Sequence, residues 1–292
     1  MSPSPTATPT PTSDAGVVAF GGSCANALSL EEASALMGQP VIASYATRVG
    51  GGTPTGAISC AWDTTASALG EIVIKVYPAD VVPSSEKDAA CSPKAESCEL
   101  RATVGDAWVI VSGSVEGKDS SVLQEAVLDA IRPHLLAYPA PAAGQRTAQW
   151  WTVPSCAQIL PAIDLTPTGF TALTLKEQID SWYPFAPEGD TRVCSVTASG
   201  GPTGDLGILV SIEAGGAGDR SAPPDVIATV SVPGAAAAVL AHTPGPYEPG
   251  PDHLDATDGV NLLQIIPDRN VDPATLTRIA GPILADLAKT VH

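Results

Sequence analysis

The feature that most constrains this chain is a Ser-Cys phrase written twice. "VVAFGGSCANAL" at 17–28 and "QWWTVPSCAQIL" at 149–160 each run from an apolar patch through a Ser-Cys pair into a helix-like start. Cys24 is followed by Cys60 after 36 positions, and Cys156 by Cys194 after 38. Matched spacing in matched surroundings reads as one domain present in two tandem copies. A chain of 292 residues is too long for one ordinary core and suits two.

Within the first copy, "SLEEASALMG" at 29–38 carries a capping box, Ser29 with Glu32, and Gly38 where a left-handed residue stops the helix. Strand patterns follow in "AISCAWDT", "GEIVIKVYPAD", "CELRATV" and "DAWVIVSGS". A closing helix over 120–138 aligns Leu123, Val127, Ile131, His134 and Leu135 on one stripe, with Pro133 kinking it late. The second copy repeats the order: "AQILPAIDL", "TRVCSVTAS", "LGILVSIEAG", and a closing helix that Asp272 caps and Pro282 interrupts. "TVSVPGAAAAVLAH" is matched to "RATVGDAWVIVSG", which leaves "GVNLLQIIPD" without an obvious first-copy counterpart. The expected fold class is therefore α+β. Each domain is an antiparallel sheet of four or five strands between a short N-terminal and a C-terminal helix, the first sheet being one strand shorter.

Six cysteines allow 15 pairings, and the duplication selects among them. Matched copies imply Cys24–Cys60 and Cys156–Cys194, each tying the first helix to the sheet, and leave Cys91–Cys98 as a local staple. Wide spacing without C-x-x-C, and only four His, argue for disulfides in an oxidising compartment rather than zinc. The boundaries expected are a Pro/Thr/Ser stalk at 1–15, a first domain at 16–138, a linker at 139–148 ("PAPAAGQRTA") and a second domain at 149–292. A tract such as "MSPSPTATPTPTSD" cannot bury a core and stays extended. Disulfides call for export, so a signal segment is expected upstream of this chain. The Pro/Thr/Ser tract resembles those that follow the lipidated Cys of bacterial lipoproteins, and that resemblance implies a lipid anchor upstream as well. No apolar run approaches the length of a membrane span.

Fourteen Lys plus Arg against 31 Asp plus Glu give a net charge of −17. That excludes the basic footprint on which nucleic-acid binding depends. Catalytic signatures are absent too: there is no G-x-S-x-G and no phosphate-binding loop. His134 falls on an apolar helix stripe, His292 is the last residue, and His242 and His253 lie in or beside "AHTPGPYEPGPDHLDATDG". That segment is read as a loop. Its Asp252, Asp255 and Asp258, with Glu248, form a weak metal candidate, because the spacing departs from the alternating ligands of a calcium loop. No metal or other cofactor is expected. Trp150 and Trp151 are the tentative binding residues, either stacking on a ligand in a groove between the domains or sealing the second sheet.

The S-C-x-x-x-L-x-x-E-E phrase, the Cys-bearing strand, the V-x-G-x-A stretch and the closing helix, in that order, resemble actinobacterial envelope lipoproteins, specifically secreted domains of unknown function. More distantly they resemble the extracellular sensor domains of mycobacterial serine/threonine kinases and PsbP-like lipoproteins. The resemblance spans both halves and rests on order and spacing. It implies an antiparallel sheet flanked by helices, a binding or sensing role in the cell envelope, and no catalytic motif to carry over. The functional expectation is a non-catalytic, lipid-tethered envelope binding module for an unknown envelope ligand or protein. An envelope-directed hydrolase and a structural partner of another envelope protein are the alternatives.

Overall fold

The computed structural model describes residues 16–43, 55–65, 70–84, 99–163, 165, 169–170, 172–179, 190–201, 204–219, 226–242 and 251–291. Two antiparallel sheets organise them. The first runs β1 (Val41–Ala43), β2 (Ile58–Thr64), β3 (Gly70–Pro78), β4 (Leu100–Val104) and β5 (Ala107–Val115), in the order β1-β2-β3-β5-β4. The second has β6 (Ala172–Ile179), β7 (Thr191–Ser199), β8 (Leu206–Glu213), β9 (Val226–Thr229), β10 (Ala237–His242), β11 (Asp252–Thr257) and β12 (Leu262–Pro267), in the order β6-β7-β8-β12-β11-β10-β9. The α+β reading holds; the second sheet has seven strands rather than four or five, because β6 and β11 join those expected.

Strand order also corrects the matching of the halves. The last hairpin of the first sheet, β4–β5, corresponds in position to β11–β12, while β9–β10 has no counterpart among the described residues of the first half. "RATVGDAW" therefore lines up with "DATDGVNL": Ala102 with Ala256, Thr103 with Thr257, and Gly105 with Gly259 at the turn. Both turn glycines take positive φ, 59° and 103°, where an L side chain is strained. The composition of β9–β10, rich in Ala with a Pro-Gly turn, had passed for the first half's hairpin.

Register carries the correspondence into the core. Cys60 lies across from Ile74, Ile74 from Val111, and Val111 from Leu100. Cys194 lies across from Val210, Val210 from Ile265, and Ile265 from Leu254. The two cysteines thus hold the same sheet position. The bridges Cys24–Cys60 and Cys156–Cys194 are both formed; Cys91 and Cys98 lie outside the described residues.

Three α-helices matter here. α1 (Leu30–Met37) starts at the expected capping box, with the Ser29 N–H donating to Glu32 Oε2 at 2.8 Å and the Glu32 N–H donating back to Ser29 Oγ at 3.2 Å. α2 (Ser120–Ala137) buries Leu123, Val127, Ile131 and Leu135, and α4 (Pro273–Leu287) buries Leu276, Ile279, Ile283, Leu284 and Leu287. A short α3 (Cys156–Ile159) separates them in the chain. Each long helix covers one face of its own sheet, and the main apolar clusters are drawn from 19–135 and from 150–287. Around the connection, Val17 and Ala142 exchange backbone hydrogen bonds in an antiparallel bridge. Arg146 instead pairs with Asp190, ahead of β7. No helix among the described residues is long and apolar enough to cross a membrane.

Candidate functional site

The tentative binding pair is core. Trp150 and Trp151 are 6% and 1% exposed and belong to the apolar cluster of the second half. Their backbone is held by Asn261, the residue just before β12. Its Oδ1 accepts from the N–H of Trp151 at 3.1 Å and of Gly215 at 3.0 Å, and its Nδ2 donates to the Gln149 carbonyl at 2.9 Å and to Asp258 Oδ2 at 2.8 Å. With four partners, the buried amide leaves no donor or acceptor wanting. Neither indole offers a face to a groove between the halves.

Among its described residues, the expected acidic loop is mostly strand. Asp252 and Asp255 lie on β11, and each of the three aspartates has its own task. Asp252 pairs with His242 Nδ1 at 2.7 Å. Asp255, fully buried, accepts from Gln264 Nε2 at 2.9 Å, with His253 Nε2 at 3.4 Å. Asp258 closes the turn into β12 by accepting from the N–H groups of Val260 and Asn261. Glu248 lies outside the described residues. Among the described residues no three His, Cys, Asp or Glu side chains come together as a metal would need.

The face of the second sheet turned away from α4 is polar. Register puts Asp255, Gln264 and Ser211 in one row, and Thr257, Leu262, Glu213 and Thr191 in the next. Ser211 Oγ donates to Glu213 Oε1 at 3.5 Å, and both residues are buried. The same face of the first sheet is aromatic: Tyr77 and Trp108 lie 5.8 Å apart, with the Arg101 guanidinium 5.9 Å from the Trp108 ring. Two strand spacings separate Ser211 from Asp255, roughly 10 Å between Cα atoms. Ser211 is therefore no nucleophile for the His253–Asp255 pair.

His134 has a structural part. Its Nδ1 is 2.9 Å from the Ala27 carbonyl, which only accepts, so Nδ1 carries the proton, and Nε2 faces Glu32 Oε1 at 3.5 Å. The contact ties α2 to the cap of α1. The backbone N–H of Ser29, then its hydroxyl, hold the Glu32 carboxyl below its usual range, with His134 adding to the effect.

An open groove of about 560 Å³ lies on the outer side of α4. Ala274, Thr277, Arg278, Gly281, Pro282 and Ala285 form one wall, and Ser231 and Pro233 the other. The second wall belongs to the connection between β9 and β10, the hairpin by which the second sheet exceeds the first. The floor is small and apolar, and none of the lining residues is His, Cys, Asp or Glu. Sequence reading missed this site: Pro282 was noted only as a kink, and nothing drew attention to Arg278.

Compared with protein-family models, curated proteins and solved structures, the chain matches none.

Proposed function

We propose that this chain is an extracytoplasmic, lipid-tethered, non-catalytic binding module of a cell envelope, built from a duplicated domain whose second copy carries the ligand site. The observation that carries binding is the groove on α4. It is apolar, it lacks a general base or a carboxylate, and its second wall comes from an element that, among the described residues, only the second half has. Ligand sites are concave and mostly apolar, with few polar groups. The common position of Cys60 and Cys194 supports duplication, and two disulfides support an oxidising compartment. The Pro/Thr/Ser tract at 1–15 would serve as the tether's spacer.

A thermal-shift screen of the oxidised chain with short peptides, anionic lipids, cell-wall fragments, sugars and calcium tests this reading. A ligand at ~100 times its dissociation constant adds about 2.7 kcal/mol. A reproducible rise for one class supports a binding module; no rise in any class counts against it.

One observation favours a hydrolase as the second reading. Asp252 accepts from His242 Nδ1 at 2.7 Å, an orientation that leaves Nε2 without a partner among the described residues and able to act as a base. Turnover of chromogenic esters or glycosides that disappears in His242→Ala would replace the binding reading with this one.

A further inference from the structure

Resting on the α4 groove as the ligand site, we infer that its occupant is an extended segment of a partner polypeptide carrying an acidic residue among small apolar ones. Length comes first. The α4 wall runs from Ala274 to Ala285, roughly 16 Å at the helical rise per residue. An extended strand covers that distance in about five residues.

Shape comes next. Gly281 sits in the helix interior, where glycine is less favourable than alanine. Packing does not demand it: a Cβ there would meet Pro233 no closer than 3.6 Å, an ordinary contact. Gly281 is itself buried and faces Pro233, so a side chain there would press on that wall and narrow the groove. Ala274 and Ala285, both exposed, are the small residues that let a backbone approach the helix closely.

Polarity decides between a peptide and an aliphatic chain. Pro282 has no N–H, so the carbonyl four residues back, that of Arg278, lacks its regular helical donor. Arg278 and Pro282 line the same groove. A peptide N–H answers that carbonyl; a hydrocarbon tail does not. The guanidinium of Arg278 makes no hydrogen bond or ion pair among the described residues, although carboxylates outnumber cations in the chain by 31 to 14. A guanidinium with no partner among the described residues, beside an apolar floor, matches a carboxylate, which it takes in a two-pronged bond. The repulsion expected from the overall negative charge is screened beyond about 8 Å at physiological salt.

The test is selection of a random heptapeptide display library on the immobilised, oxidised full chain, followed by solution affinities for the enriched peptides. Arg278→Gln and Gly281→Leu are the variants, checked for folding by their melting curves. Arg278→Gln keeps a hydrogen-bond donor but shortens the side chain and removes its charge; Gly281→Leu crowds the Pro233 wall and narrows the groove. The expected result is enrichment of peptides with one Asp or Glu flanked by small apolar residues. Their affinity falls about tenfold or more in each variant and on changing the acidic residue to its amide. Peptides that bind both variants as well as the parent overturn the inference, as does failure to enrich any. If decanoate rather than peptide competes for the groove, the site takes amphiphiles: the peptide inference fails and the binding reading survives. Thermal shifts from a ligand that ignores both variants likewise keep the module but move its site elsewhere.

Discussion

Asn261 holds Trp151 in place through its backbone: the Asn261 Oδ1 accepts the Trp151 N–H at 3.1 Å, from 110 residues further along the chain. The same oxygen takes the N–H of Gly215, so one buried amide joins the start of the second half to the turn after β8 and to β12. Asn261→Ala should strand these N–H groups and the Gln149 carbonyl. An unsatisfied buried group costs about 1–3 kcal/mol, so a loss of about 3 kcal/mol or more is expected from urea melts, with indole proton shifts at Trp150 and Trp151 in NMR spectra.

Gly215 should tolerate nothing larger. Its φ is +75°, and a Cβ would fall 2.5 Å from the Trp150 ring. Gly215→Ala combines left-handed strain with overpacking, together about 2–4 kcal/mol. A melting shift close to zero would mean that the ring moves aside freely.

Arg146 should matter more near neutral pH than in acid. Burial raises the Asp190 carboxyl above its usual range, and the neighbouring Arg146 opposes that rise. A raised carboxylate binds its proton more readily folded than unfolded. Its cost is therefore complete above the folded pKa and relieved as pH falls through it. Arg146→Ala removes the opposing charge and should destabilise by about 1–3 kcal/mol at pH 7. The deficit should shrink towards pH 4, as paired urea melts would show; a deficit independent of pH would contradict this.

Glu32 runs the other way. Its carboxyl is held low by Ser29 and His134, so its contribution is present above the unfolded value and is lost as pH falls through the folded one. Ser29→Ala should cost about 1 kcal/mol at pH 7 through the lost cap. The variant should also show a shallower loss of stability between pH 5 and pH 3.

The two bridges close loops of 36 and 38 residues. Removing either by paired Cys→Ala substitution should cost about 3–4 kcal/mol in the chain-entropy account. Because the apolar clusters keep to their own halves, calorimetry should show one transition lowered and the other left in place.

What was legible in the sequence was what local chemistry and paired cysteine spacing encode. Ser29 with Glu32 announces a cap whatever surrounds it, Asp272 before Pro273 does the same for α4, and paired spacing selected the two bridges. What was misread is tertiary in origin. His253, Asp255 and Thr257 alternate with Leu254 and Ala256 as a strand should, but the Pro, Gly and Asp around them spelled a loop. For Trp150 and Trp151 no local pattern decides between stacking on a ligand and sealing the second sheet, since the apolar cluster that buries them and the Asn261 that holds the backbone beside them lie far along the chain. The groove needed both a helix face and the β9–β10 connection, which meet only in the folded chain.

The most direct measurement is backbone NMR of the oxidised chain, titrated with the best peptide from the display selection. Binding at the proposed site predicts shifts confined to the amides of Ser231 and of the α4 residues from Ala274 to Ala285, and absent in Gly281→Leu. Shifts centred instead on His253, Asp255 and Gln264 would place the ligand on the polar sheet face and contradict the account.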